Sequence, residues 1–199
     1  MTTGTASSRA ADSDTLARIV AAARECFGRD GVGKTWMATV AGQVGIARQT
    51  LYSFVAGRRE LIELALIARS RELMDATRVG AASTELPVPE DLVEFIAIMV
   101  ELTRDDREFR ELAGGLSRND AFPFLTGPTP MRGIVLDGLQ PLFDRAAAVG
   151  VLREDRTHLD LAGWVQTVCG PLATRADLTA ESLRETLREY VLPALLRAP

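Results

Sequence analysis

One histidine, two cysteines and, by inspection, a single lysine occur in 199 residues. Structural zinc is held by about four Cys or His ligands, so no metal site is expected. Cys26 and Cys169 each stand in an apolar helical context, where a thiol behaves as a small buried hydrophobe. Two such thiols fit a reducing cytoplasm. His158, near Asp155 and Asp160, has no nucleophile or metal partner at a telling spacing, so no catalytic set is expected. A helical enzyme using His158 as a base is the weaker alternative. No apolar run of about 20 residues is present, which excludes a membrane-spanning helix. The opening MTTGTASSRAADSDT has no apolar h-region and reads as a flexible polar arm over residues 1–13. Gly31-Val32-Gly33-Lys34-Thr35 lacks the four-residue spacer of a phosphate loop, so no nucleotide cofactor is implied.

What is present is apolar and helical. Hydrophobic residues make up 47% of the chain and aromatics only 6%, and Ala, Leu, Val and Arg are plentiful. This favours an all-α protein packed through small side chains. Net charge is −4, which by itself argues against a nucleic-acid partner. Its distribution argues the other way. Residues 1–60 carry eight basic and five acidic side chains, whereas 61–199 carry fifteen and twenty-two. A locally basic N-terminal part is what phosphate contact needs.

The chain is organised around Thr35 to Leu61. Met37, Val40, Ala41 and Val44 follow the spacing of one apolar helix face, with Thr35 as a candidate cap. Gly45 can take the left-handed angle that ends a helix. A second short helix is expected from Ile46 or Ala47 to Phe54. Ala47, Leu51 and Phe54 would face inward, and Arg48, Gln49, Tyr52 and Ser53 outward, with Thr50 at the flank. Arg can bond both acceptors of a guanine edge, Gln can pair with adenine, and the hydroxyls suit phosphate. Two helices across a tight turn, the second with this face, describe a helix-turn-helix; an ordinary helical hairpin has the same periodicity. A preceding helix from Asp14 to Arg29, with Leu16, Ile19, Val20, Ala23 and Phe27, would complete a three-helix unit. Arg9 and Arg18 could reach phosphate from this side. Lys34, Thr35 and the amides at the second helix start are candidate phosphate contacts.

The run Gly45-Ile46-Ala47-Arg48-Gln49-Thr50-Leu51-Tyr52, then Arg58-Arg59-Glu60-Leu61, resembles the DNA-binding domain of the tetracycline-repressor (TetR) family. Ile19 to Phe27 and Gly31 are similar to that family's first helix and its ending. Three positions depart: Ala47 replaces a small polar residue, Val55 an aromatic and Arg59 a glutamate. The resemblance implies a helix-turn-helix domain over residues 14–57 and a larger helical effector-binding and dimerisation domain over 58–199. It implies a regulator, most often a repressor released from a palindromic DNA operator by a small effector, with an activator or ligand-independent regulator as alternatives. It also implies backbone contact by Arg58, homodimerisation through the last two helices, and an effector cavity. Candidate lining residues are Phe95, Met99, Phe109, Phe122, Phe124, Trp164, Gln166 and Cys169; such an apolar lining would select a lipophilic or aromatic molecule.

The remaining chain reads as helices from Arg58 to about Val79, Glu90 to Thr103, Asp106 to Ala113, Met131 to Ala148, Thr157 to Thr174 and Ala180 to Leu196. Gly80–Pro89 is expected as a loop. Asn119–Pro130 is expected to be broken by its prolines and Gly127, and Pro141 to kink the helix near Gly138. Asp177 or Thr179 would cap the last helix. Apolar residues on the last two helices cover more than one face, which calls for a second partner surface.

Overall fold

The computed structural model describes the backbone of residues 3–81 and 86–197, and side chains from residue 11 onward within those ranges. Among them the protein is helical, with one isolated antiparallel bridge between Leu152 and Leu196. The chain forms two compact units. The first holds residues up to Arg69 together with Glu108–Ser117; the second holds Ser70–Arg107 and the chain from Arg118 onward.

The first unit opens with α1, Thr3–Asp30. Its helical backbone begins well before the expected Asp14, in the segment expected to be an arm. No proline interrupts residues 3–30, and Ala6, Ala10 and Ala11 are strong helix formers. The Arg9 side chain lies outside the described residues. Ile19, Ala23, Cys26 and Phe27 form the buried stripe. Then come α2, Met37–Val44, and α3, Arg48–Phe54. Val40, Ala41 and Leu51 are buried, while Met37 and Val44 are half-buried. Two inward assignments change. Val55 is buried where Phe54 was expected, and Ala47 is exposed at the helix cap. The chain leaves the helix in an extended conformation after Phe54, which turns Val55 inward and leaves the larger ring half-covered.

Gly45 sets the angle between α2 and α3. Its φ is 78°, its N–H donates to the Gly42 carbonyl at 3.2 Å, and the Ile46 N–H donates to Ala41 at 3.0 Å. Paired bonds of this kind close a helix in the Schellman manner and need a left-handed residue. Gly45→Val is expected to lower stability by about 1–2 kcal/mol, the cost of that conformation for a residue with Cβ. Chemical denaturation monitored by circular dichroism checks this.

α4, Arg58–Ala81, contributes its residues to Arg69 to the first unit and the rest to the second. α5 is Val88–Asp105 and α6 is Arg107–Gly114. Glu108 explains why α6 belongs with the N-terminal helices. The Arg24 guanidinium donates to both its oxygens, at 2.6 and 2.9 Å, and Leu112 behind it is buried. Residues 82–85 of the expected loop lie outside the described residues.

In the second unit the proline-rich stretch is helical as α7, Arg118–Thr126, contrary to the expected break. The fixed φ of proline suits a helix. Pro123 forfeits one bond to Asn119, whose residue is exposed so that water can replace it. α8, Pro130–Ala148, retains Pro141 within it. Met74 of α4 packs so closely on Gly138 that a Cβ there would sit 2.1 Å from the thioether sulfur. α9, His158–Leu172, starts with a capping box in which Thr157 and Asp160 satisfy each other's backbone donors. The last helix is not uniform. α10, Ala180–Thr186, is capped by Thr179, passes through a π-helical turn at Leu187–Val191, and resumes as α11, Leu192–Leu195. Pro193 lacks an N–H and its ring crowds the preceding turn, which favours the wider π geometry there.

An ion-pair ladder joins α10 to α5. Arg184 donates to both oxygens of Glu94 at 2.7 Å and to Glu101 at 2.8 Å. The guanidinium holds the Glu94 carboxyl below its usual range. A depressed folded-state pKa stabilises above the unfolded value and stops doing so as protons bind the native carboxylate. Thermal stability is therefore expected to fall as pH drops below about 4.3, the ordinary Glu range. Arg184→Met should flatten the Glu94 part of that dependence, read as melting temperature between pH 7 and pH 3.

Candidate functional site

The outward face of α3 carries the most chemistry in the first unit. Arg48, Gln49, Thr50 and Ser53 are exposed, and Tyr52 is exposed beside them. Inward packing of Leu51 fixes which face this is. Arg48 and Tyr52 are one turn apart. The guanidinium donates to the phenol oxygen at 3.3 Å and lies 5.5 Å from the ring centre. The tyrosine therefore props the guanidinium on the solvent side and restricts its rotamers before any partner arrives. Ser53 donates its hydroxyl proton to the Thr50 carbonyl at 2.7 Å, leaving the oxygen as an acceptor. Gln49 makes no side-chain hydrogen bond among the described residues, so its amide is available in both senses. Ala47, the cap residue, supplies no side-chain bond. The first amides of α3 are left for solvent or a ligand.

Two expected phosphate contacts are turned to structural use. Thr35 is buried, and its hydroxyl donates toward the carbonyls of Gly31 at 3.0 Å and Cys26 at 3.2 Å. It closes the α1–α2 loop and is not the cap of α2; that position is Trp36, without a side-chain cap bond. Arg58 donates to the Val32 carbonyl, and its Nε is buried with no partner. One end of its guanidinium is anchored in the same loop, and the residue is half-buried. Arg18 reaches the Val44 carbonyl at 3.4 Å. Lys34 is exposed as expected.

Sequence reasoning missed Trp36. It is 77% exposed at the start of α2, beside Lys34. A signal was available: Trp36 falls outside the Met37-Val40-Ala41-Val44 stripe, so the periodicity already left a large ring without a core position.

The proposed effector residues divide. Phe95, Met99, Phe124, Gln166 and Cys169 are buried in the second unit. Phe122 and Trp164 are substantially exposed, and Phe109 lies on α6, which belongs to the first unit. The exposed pair cannot line a closed cavity in this conformation. Gln166 donates to the Leu125 and Gly127 carbonyls at 2.7 and 3.2 Å, tying α9 to the end of α7. Its carbonyl oxygen is buried and unpartnered. Burial pushes the Cys169 thiol up to about 12, so it stays protonated and poorly nucleophilic at neutral pH. His158 accepts at Nδ1 from the Gln140 amide at 2.9 Å, near Asp144 and the Phe143 ring. That is a helix-to-helix contact with no nucleophile in it. No His/Cys/Asp/Glu group suited to a metal occurs among the described residues, and no described helix is long and apolar enough to cross a membrane.

No protein-family model matches the sequence, and no curated protein matches it in sequence. Solved structures are similar to it in fold. The R. erythropolis TetR-family repressor QsdR superposes with a TM-score of 0.68 at 17% identity, covering 93% of this chain and 97% of that one. A TetR-family regulator from Pectobacterium atrosepticum gives 0.65 at 21% identity, covering 96% and 98%. GusR of Salmonella enterica gives 0.55 at 23% identity, covering 92% and 95%. The chain has the all-α fold of TetR-family transcriptional regulators.

Proposed function

We propose that the protein is a sequence-specific DNA-binding transcriptional regulator, a repressor that leaves a palindrome-like operator when a small effector binds its second unit. The outward face of α3 carries this reading: an Arg propped by a Tyr, an unengaged Gln and two hydroxyl residues on one exposed helix face. These groups match the donor and acceptor patterns of the major groove. Lys34 and Trp36 would lie along the sugar-phosphate backbone. Arg58 supports them by fixing the loop from which they project.

Two-fold DNA calls for two copies of the chain. Leu159 and Trp164 on α9 are 47% and 44% exposed, and Tyr190 in the π turn is 65% exposed. Apolar surface of this kind is stabilised by a partner, which supports a homodimer through α9 and the α10–α11 segment. Trp164→Glu is expected to shift the protein to monomer in sedimentation equilibrium. α4, with residues in both units, is the element through which an effector would change operator affinity. A ligand does so only by its differential affinity for the two states.

The test is selection of bound duplexes from a random DNA library with competitor DNA at moderate salt. An inverted repeat supports specific reading and two-fold assembly together. Recovery of no sequence above background by well-folded protein would sink the proposal.

A further inference from the structure

The second unit contains a cleft with a buried acid whose oxygens accept no hydrogen bond. Asp91, in the first turn of α5, is 3% exposed, and neither carboxylate oxygen has a hydrogen-bond donor. Arg145 of α8 approaches one oxygen at 2.8 Å without the alignment of a hydrogen bond. Leaving a buried carboxylate oxygen without a donor is costly. Asp91 opens into a cleft of about 240 Å³ that Phe95, Pro141 and Leu142 line with apolar surface and Arg78 and Arg145 with guanidinium groups. Arg78 is already engaged with Asp75 at 2.7 Å. The Asp91–Arg145 pair is thus the charge balance of the site, and it is neutral.

We propose that this cleft binds a small zwitterion, an α-amino acid with an apolar side chain. An ammonium group supplies the donors that Asp91 lacks. It displaces the misaligned guanidinium, and the ligand carboxylate then receives Arg145, whose side chain is 52% exposed and free to turn. One poor ion pair becomes two aligned ones and the site stays neutral. A simple amine would leave Arg145 without a partner. A simple acid would compete with Asp91 for Arg145 and leave the buried oxygens as they are. The side chain would lie along Phe95, Pro141 and Leu142. A volume below the roughly 300–1,000 Å³ of drug-sized sites fits a ligand of this size. The inference deepens the effector half of the proposed function. It replaces the lipophilic class expected from an apolar lining, of which only Phe95 reaches this cleft.

Calorimetric titration of the full chain without DNA tests it, so that failure of this site is read separately from failure of operator selection. The probes are L-phenylalanine, 2-phenylethylamine and 3-phenylpropanoate, with L-leucine as a second amino acid. Saturable binding of at least one amino acid is expected, at least tenfold tighter than the amine or the acid. Asp91→Asn, which keeps the side-chain shape, and Arg145→Met should each weaken it at least tenfold. Leu142→Trp, which fills the cleft from a half-buried position, should abolish it. No binding of either amino acid overturns the proposal, and that comparison needs no variant. Equal binding of the amine removes the role given to Arg145 and overturns the zwitterion. Binding unchanged in folded Leu142→Trp places the ligand elsewhere and overturns the site.

Discussion

Arg48→Ala is expected to weaken binding to the selected operator by about 5- to 150-fold, the range of 1–3 kcal/mol for a bidentate base contact. Binding to unrelated duplex should change by far less, because phosphate contact supplies most nonspecific affinity. The expectation rests on the geometry of α3. Arg48 donates to Tyr52 one turn away and stacks near its ring, so part of its rotamer entropy is already lost before DNA is met. Tyr52→Phe removes the hydrogen bond but retains the ring, and should therefore cost less than Arg48→Ala. Competition titrations with operator and scrambled duplex, at two salt concentrations, separate the cases. An equal loss on both duplexes from Arg48→Ala would reassign Arg48 to the backbone. Lys34→Ala is the control for that behaviour: it should weaken binding to all sequences and reduce the salt dependence by about one charge.

Leu51→Ala is expected to have the largest effect on stability, about 2–5 kcal/mol, the range for removing a buried leucine side chain. Leu51 is fully buried on the inner face of a helix of only seven residues. So short a helix has little stability of its own, and Leu51 is the one residue within it that is fully covered. Loss of that anchor should release α3 and abolish operator binding even where the rest of the chain stays helical. Hydrogen exchange resolves the two units. Amides of α2 and α3 should exchange faster in the variant, while those of α8 and α9 keep their protection. Uniform loss of protection throughout the chain would mean that the units do not unfold separately. Normal protection in α3 would remove Leu51 as its anchor.

Much of the first unit was legible from local pattern. The stripe of α1, the stop at Gly45 and the outward set on α3 depend on residues close in sequence, and helical periodicity reports these directly. The helix breakers misled at Pro123, because a proline's cost depends on whether the carbonyl it abandons can find water. Near the C-terminus the helix is interrupted by a π-helical turn just before Pro193.

The roles of polar side chains were less legible, since a role depends on what lies across the fold. Thr35 and Arg58 have the chemistry of phosphate contacts, yet the α1–α2 loop brings carbonyls to them, taking the Thr35 hydroxyl proton and one donor of Arg58. Phe122 and Trp164 have the chemistry of a cavity lining, yet their helices turn them outward. α6 joins the N-terminal helices because Glu108 meets Arg24, 84 positions earlier. By itself the sequence determined most of the helices, the outward polar face of α3 and its charge setting, because hydrophobic period and turn chemistry are local. Only tertiary structure decided which donors stay free, which aromatic side chains are covered, and that Asp91 and Arg145 meet in one cleft. Those outcomes require residues far apart in the chain to share space, and no local period encodes that.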